Sequence, residues 1–380
     1  MKQPALVGEL LAGIIIGPLF GIVHVDEGLT ILSHVAVFFL MLLAGLEMNL
    51  EEIKKAGKSA IIVSLLAFVI PFIAGTQIAS LFGLDTIQSM FMGLLLSITA
   101  IPVSAIVLME FKILKTKIGN IVVTAAVIND ILSLIVLAIL LQMSENGGSE
   151  ISLPQFGLSL SKVGIFIVEI VLLAFIVGKT EHWLPSKIGA FFDRLQTREA
   201  AFGILLVLVI TVSLVAHYTE LHFIVGTFFA GLIFGKLLVK KEADRAYGTV
   251  TGITFGFFAP LFFGFIGIEM NLRSMTDSIP LLAALLGVAI VTKIGGGYLG
   301  ARIVRFSNND SLAVGCLMNG RGMVELAIAS IGYAAGILDA TLFSIAVSIG
   351  FITTILAPVL SRPFISKAKA VGSPNVQELS

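Results

Sequence analysis

Asp130 and Lys293 each sit near the middle of a long apolar run, 118–141 and 281–303. A charge at the centre of a bilayer costs at least about 2.5–3.5 kcal/mol. Two of them mark either a salt bridge tying two helices together or a site that handles charge. Asn129 precedes Asp130; its amide offers a carbonyl ligand and an NH₂ donor. Thr99, Ser104, Thr124 and Ser133 supply hydroxyl oxygens in neighbouring stretches. Carboxylate, hydroxyl and carbonyl oxygens are hard ligands, which makes Asp130 a candidate ligand for an alkali cation only. A carboxylate that takes either a proton or such a cation, never both, couples the movement of one to the other. Burial and a cationic Lys293 act on it in opposite senses, and the two groups titrate as a pair.

Four further charges inside apolar runs bear on this chemistry. Arg321 and Glu325 are four residues apart, so they either compensate charge at the site or pair with each other along one helix. Glu9 lies near one end of the first run and either lines a pathway or snorkels. Glu169 lies within 158–180 and reads as an access-path residue or an interhelical partner. His34, His217 and His222 lack metal-ligand spacing and suit interface or packing roles. No HExxH, P-loop lysine or serine-nucleophile elbow is present. The chain is read as a non-enzyme with no catalytic residue and no cofactor. The species it handles are Na⁺ (or K⁺ or Li⁺) and H⁺.

The elements that hold these residues follow from composition. Apolar residues make up 57% of the 380 and charged residues 13%, with a mean hydropathy of +1.05. A soluble domain carries about 25% charged residues, so this is an all-α polytopic membrane protein embedded in a lipid bilayer. Net charge is zero, which leaves no basic face for nucleic acid. The lone Cys316 excludes an intrachain disulfide framework. Runs of about twenty apolar residues match the bilayer core. Twelve are read, TM1 to TM12: 5–22, 28–46, 58–80, 88–108, 118–141, 158–180, 199–216, 222–238, 248–268, 281–303, 311–333 and 338–360. Twenty of the 24 basic residues flank one side of this alternation, in clusters such as Lys54, Lys55 and Lys58 or Lys236, Lys240 and Lys241. The opposite side has one clear case, Arg273. The bias places both termini in the cytoplasm.

The chain also repeats itself. Val7-Gly8-x-x-x-Ala12-Gly13-x-x-x-Gly17 returns as Val225-Gly226-x-x-x-Ala230-Gly231-x-x-x-Gly235. Gly45-Leu46-Glu47-Met48-Asn49-Leu50 returns as Gly267-Ile268-Glu269-Met270-Asn271-Leu272. TM1 thus matches TM8 and TM2 matches TM9. Partners an odd number of helices apart run oppositely across the membrane. This predicts an inverted-topology repeat of helices 1–5 and 8–12, the signature of secondary transporters. Corresponding helices are expected to break near the site. TM4 carries Pro102 at mid-helix, and TM11 carries Gly320-Arg321-Gly322. Helices 4 and 11 are therefore read as two broken crossing helices, whose half-helix ends can hold an ion.

Several motifs together resemble a known family. Gln3-Pro4-Ala5-Leu6-Val7-Gly8-Glu9 through Gly17-Pro18 resembles the first core helix of the monovalent cation:proton antiporters. The branch is that of the NapA and GerN exchangers and the Kef membrane domain. Ala125 to Asp130 is similar to that family's ion-binding helix, and Phe258-Ala259-Pro260-Leu261-Phe262-Phe263 to its helix 9 motif. Lys293-Ile294-Gly295-Gly296 resembles its lysine motif, and Asn319 to Leu326 its second broken helix. Three departures stand out. NapA-type proteins have Asp-Asp where this chain has Asn129-Asp130. They place a glutamate directly after Arg-Gly, where this chain has Met323 and carries its acid at Glu325; the plant cation/proton exchangers are closer there. Family members often have one more helix before the Gln-Pro run, and Kef proteins a nucleotide-binding domain after the last one; neither is read in this chain.

The resemblance implies a scaffold over about 1–50 and 199–270 that forms a homodimer. It also implies an ion-carrying core over about 57–141 and 281–360, moving against the scaffold like an elevator. The expected activity is exchange of monovalent cations, Na⁺ first, for protons by competition at Asp130. It is expected in the plasma membrane of a prokaryote. The alternatives are K⁺/H⁺ antiport or Kef-like K⁺ efflux and, more distantly, Na⁺-coupled symport of an organic anion. A gated channel would need no competing proton.

Overall fold

The computed structural model describes residues 5–47, 57–145, 200–218, 222–234 and 240–370. TM6, with Glu169, lies outside the described residues. Every regular element among the described residues is helical. The elements are α1 (Ala5–Ile14, continued by a π-helical turn Ile15–Leu19), α2 (Glu27–Glu47), α3 (Gly57–Leu81), α4 (Thr86–Ser97), α5 (Ile101–Glu110), α6 (Lys117–Glu145), α7 (Ala200–Tyr218) and α8 (Phe223–Phe234). They continue as α9 (Lys240–Ile253), a π-helical turn (Thr254–Phe258), α10 (Ala259–Glu269), α11 (Leu272–Asp277), α12 (Ile279–Ile303), α13 (Asn308–Met318), α14 (Met323–Ala334) and α15 (Ala340–Ala370). Six helices among the described residues are long and apolar enough to cross a membrane, and α13 with α14 makes a seventh span bent by 42°. The chain is an integral membrane protein.

Where TM4 was expected to break at Pro102, helix stops earlier. Ile98 and Ala100 are extended, and Pro102 lies in the first turn of α5. A first-turn proline loses no helical hydrogen bond, because the N–H it lacks would have had no partner. Asp85 and Gln88 form a capping box at the start of α4, and Ser307 caps α13 by accepting the Asp310 N–H at 3.2 Å. Such caps satisfy N–H groups that the helix itself leaves unpaired.

Their contacts group the helices into two sets. α1 lies on α10, and α2 on α8, with α7 against α8. α3 runs along α12 and touches α4 and α6, while α13 packs on α12 and α15. In the first set, glycines allow backbone to approach backbone. A Cβ on Gly45 would collide with the Phe228 carbonyl of α8, and one on Gly231 would stand 2.7 Å from the Leu42 carbonyl of α2. The α1–α10 contact is built the same way. A Cβ on Gly267 would collide with the Leu10 carbonyl and lie 2.9 Å from the Gly13 Cα. The glycines that correspond in the sequence repeat, Gly13 with Gly231 and Gly45 with Gly267, thus make corresponding crossings.

Candidate functional site

The link between α4 and α5 touches the link between α13 and α14. The Ala100 N–H donates to the Gly320 carbonyl at 2.8 Å. The Thr99 hydroxyl donates to the Met318 carbonyl at 3.1 Å, and the Ser104 hydroxyl to the Leu317 carbonyl at 2.6 Å. A Cβ on Gly322 would stand 2.9 Å from the Ala100 Cβ, so the approach requires a small residue there. The last carbonyls of a helix have no partner within it and carry its negative dipole end. The two hydroxyls satisfy those of α13.

The end of α4 is met by cations instead. Lys293, fully buried on α12, donates from Nζ to the Ala67 carbonyl at 3.0 Å and to the Ser97 carbonyl. Arg321, also fully buried, donates from Nη1 to the Leu95 carbonyl at 2.6 Å and from Nη2 to the Leu96 carbonyl at 2.8 Å. Its Nη1 also makes a 2.7 Å ion pair with Glu325 Oε1. The Thr354 hydroxyl holds the Arg321 carbonyl at 2.7 Å. Two positive side chains thus gather at the negative end of one short helix, with one carboxylate among them. Glu325 Oε2 has no hydrogen-bond partner.

Asp130 lies beside this group on α6 and is 3% exposed. Its Oδ1 is buried and bonded to nothing. Lys293 and Asp130 form no ion pair; the lysine's bonds go to main-chain oxygens. Its charge acts on Asp130 from a distance. Leaving a carboxylate oxygen buried and unbonded costs about 1–3 kcal/mol or more, a cost that a bound proton or cation would remove.

Asn129 is bonded on both sides of its amide. Ser64 Oγ donates to its Oδ1 at 2.6 Å, and its Nδ2 donates to Thr99 Oγ1 at 3.1 Å. With the Thr99–Met318 bond, this is a chain from α3 through α6 and the α4–α5 link to α13. Both ends of the Asn129 side chain are committed to protein partners. Ser133 donates to the Asn129 carbonyl at 2.7 Å and Thr124 to Asn120 Oδ1 at 3.2 Å, both within α6. Glu9, half-buried on α1, belongs to the first helix set. His34 and His217 are exposed, and the His222 ring accepts the Ile224 N–H at 3.4 Å. No group of three metal-binding side chains occurs among the described residues.

Sequence reasoning missed Ser64 and Thr354. A serine or threonine in an apolar helix normally bonds its own preceding turn, as Ser97 does to the Gly93 carbonyl. Nothing in the sequence sets Ser64 apart from that pattern.

Comparison with known proteins places this arrangement in context. Residues 1–367 match the family described as "Sodium/hydrogen exchanger, transmembrane". A Na⁺/H⁺ antiporter of Enterococcus hirae is 31% identical over 97% of this chain and 93% of its own length. The Na⁺/H⁺-K⁺ antiporter GerN of Bacillus cereus is 31% identical over 98% of this chain and 92% of its own. Among solved structures, the sodium proton antiporter MjNhaP1 of Methanocaldococcus jannaschii aligns with a TM-score of 0.70. It covers 99% of this chain and 93% of its own, at 19% identity, and shows the shared fold. The chain belongs to the sodium/hydrogen exchanger family.

Proposed function

We propose that this protein exchanges monovalent cations, Na⁺ first, for protons across a membrane, with Asp130 as the group both compete for. The observation that carries this reading is Asp130 itself: buried, with an unbonded carboxylate oxygen, beside two touching helix interruptions in a chain of this family. With Asp130 and Glu325 ionised, their charges balance those of Lys293 and Arg321. A proton and a sodium ion then add the same single charge to the site, and neither binds while the other is there. Thr99 and Ser104 act through the backbone of α13, and Asn129, Ser133 and Thr124 shape α6 around the carboxylate. Lys293, Arg321 and Glu325 compensate charge at the end of α4.

The site is carried by a core over about 57–141 and 281–360. The scaffold over about 1–50 and 199–270 provides the homodimer contact and the wall against which the core moves. Twelve helices cross the membrane, with 1–5 and 8–12 as an inverted repeat and 4 and 11 broken; the matched glycine crossings support this arrangement. Both termini face the cytoplasm, in the plasma membrane of a prokaryote. Potassium is the second substrate to test, since one relative is named a Na⁺/H⁺-K⁺ antiporter. The test is purified protein in liposomes carrying a pH dye. Addition of Na⁺, Li⁺ or K⁺ to one side should move protons the other way. Cation flux with no proton movement would indicate a channel and overturn the proposal.

A further inference from the structure

The repeat places a carboxylate, Glu47 and Glu269, at the end of two corresponding helices, and the exchange mechanism above uses neither. Each is the last residue of its helix, α2 or α10. Each follows by two residues the glycine that makes the close crossing, Gly45 or Gly267. Two residues along a helix is a rotation of about 200°. The acid therefore faces away from the partner helix that its glycine touches, α8 in one case and α1 in the other. α2 and α10 belong to repeats that run oppositely, so the two helix ends lie at opposite faces of the membrane.

We propose that Glu47 and Glu269 are the two mouth acids of the transport path, each serving the Asp130 site when that site opens to its side. This inference rests on the exchange function and the inverted repeat proposed above. The two acids stand in different situations, as the two mouths of an alternating-access transporter must. Glu47 is exposed, held by the Tyr247 hydroxyl at 3.4 Å. α2, which it ends, packs against α14, the half-helix that starts beside the site. Glu269 is half-buried, and its Oε2 is buried without a hydrogen-bond partner. Two residues on, the Asn271 N–H donates to Ser344 Oγ of α15 at 2.8 Å, which ties this end of α10 to the core. Glu47 is the open member of the pair and Glu269 the covered one. A buried, unbonded carboxylate oxygen is costly. A core movement that uncovers Glu269 would remove that cost and bury Glu47 in its place, exchanging the roles of the two repeats.

The chemistry is attraction at a low-dielectric funnel. A carboxylate at the mouth raises the local concentration of cations and offers the first oxygen that replaces their water. It would act on cation binding from its own side and leave the chemistry at Asp130 alone. Two charges interact across about 15 Å at an effective dielectric of about 20 strongly enough to change binding about fivefold.

The test uses full-length protein in liposomes, with one insertion orientation silenced by a membrane-impermeant thiol reagent at a terminal cysteine. KM for Na⁺ is measured from each face for wild type, Glu47→Gln, Glu269→Gln, Glu47→Asp and Glu269→Asp. Glu47→Gln should raise KM about fivefold from the face where α2 ends, with kcat and the KM from the other face unchanged. Glu269→Gln should do the reverse. Both aspartate variants, which keep the charge and the fold, should restore wild-type values. KM values unchanged in both glutamine variants would overturn the inference, as would equal shifts at both faces or a loss confined to kcat. If a glutamine variant fails to fold, an aspartate variant with KM shifted alike at both faces would overturn it. Wild-type protein that exchanges no cation for protons would instead overturn the function on which the inference rests.

Discussion

Lys293 gives its ammonium hydrogens to the main-chain oxygens of Ser97 and Ala67 and forms no ion pair with Asp130. The two buried charges are thus neighbours without touching. Lys293 completes the end of α4, which Arg321 also caps, and Asp130 keeps an oxygen unbonded. The Asp130 oxygen is left unbonded because the neighbouring positive charge is occupied elsewhere.

If Asp130 is the shared group, Asp130→Asn should abolish exchange for every cation. It should leave folding intact, since the carboxylate makes no bond that the fold needs. Liposome exchange and thermal unfolding of the purified protein check the two halves. Substantial exchange by a folded variant would end the assignment.

Asn129→Asp keeps the acceptor that Ser64 needs and loses the donor to Thr99. The Thr99 hydroxyl is directed at the Met318 carbonyl, so the new carboxylate would face a lone pair unless Thr99 rotates. A second acid beside Asp130 also changes how the site titrates. We expect slower turnover and a shifted pH optimum, read from exchange rates between pH 6 and pH 9, roughly the range across which a paired carboxylate responds. An unchanged pH profile would remove Asn129 from the site.

Arg321→Met would strand Glu325 and leave the Leu95 and Leu96 carbonyls without their donor. Breaking a buried pair from one side costs about 3–5 kcal/mol. The double variant Arg321→Met, Glu325→Leu should lose less than the two single losses combined. Denaturation midpoints of the three proteins decide it; additive losses would mean that the 2.7 Å pair contributes nothing.

Much of this was legible in the sequence. The runs 58–80, 118–141 and 281–303 match α3, α6 and α12 closely, because those helices have no polar face to conceal them. The matched glycines were legible because the close crossings need glycine at fixed positions. The break in TM4 was read from its proline and falls a few residues earlier, since a proline starts α5 more easily than it kinks a helix. The partners of Lys293 were not legible. They are main-chain oxygens, invisible as residue types: the Ser97 carbonyl is free because α4 ends there, and the Ala67 carbonyl because Pro71, four residues on in α3, has no N–H to give it. Ser64 was hidden for the same kind of reason: its partner lies on another helix.

The matched crossings make a stability prediction. A side chain at Gly45 has no room, since the Phe228 carbonyl and the Leu232 nitrogen occupy its place. Gly45→Val should push α2 off α8 and cost about 1–3 kcal/mol. Gly248→Ala is the control, because nothing lies within 4 Å of an added Cβ there. Thermal unfolding in detergent should show a fall for the first and none for the second. An unshifted Gly45→Val protein would mean that the crossing is not as close as described.

Exchange should move no net charge. Asp130 has room for one proton or one monovalent cation, and each brings one positive charge to a site whose ionised groups otherwise balance. A second proton per cycle would have to be carried by Lys293. The groups that touch it are the Ala67 and Ser97 carbonyls, which accept hydrogen bonds and cannot take up or return a proton. Asn129 is neutral and bonded on both sides, and no carboxylate touches Lys293 to receive one. Lysine therefore stays charged through the cycle, and each turnover swaps one positive charge for another. The measurement is Na⁺-driven proton movement in liposomes clamped at opposite membrane potentials, with the potential set by an ion that the protein does not carry. Equal initial rates at both signs are expected. Rates that differ strongly with the sign would mean unequal charge moved per cycle and would identify Lys293 as the second proton carrier, a role that Lys293→Gln would then remove together with the voltage response.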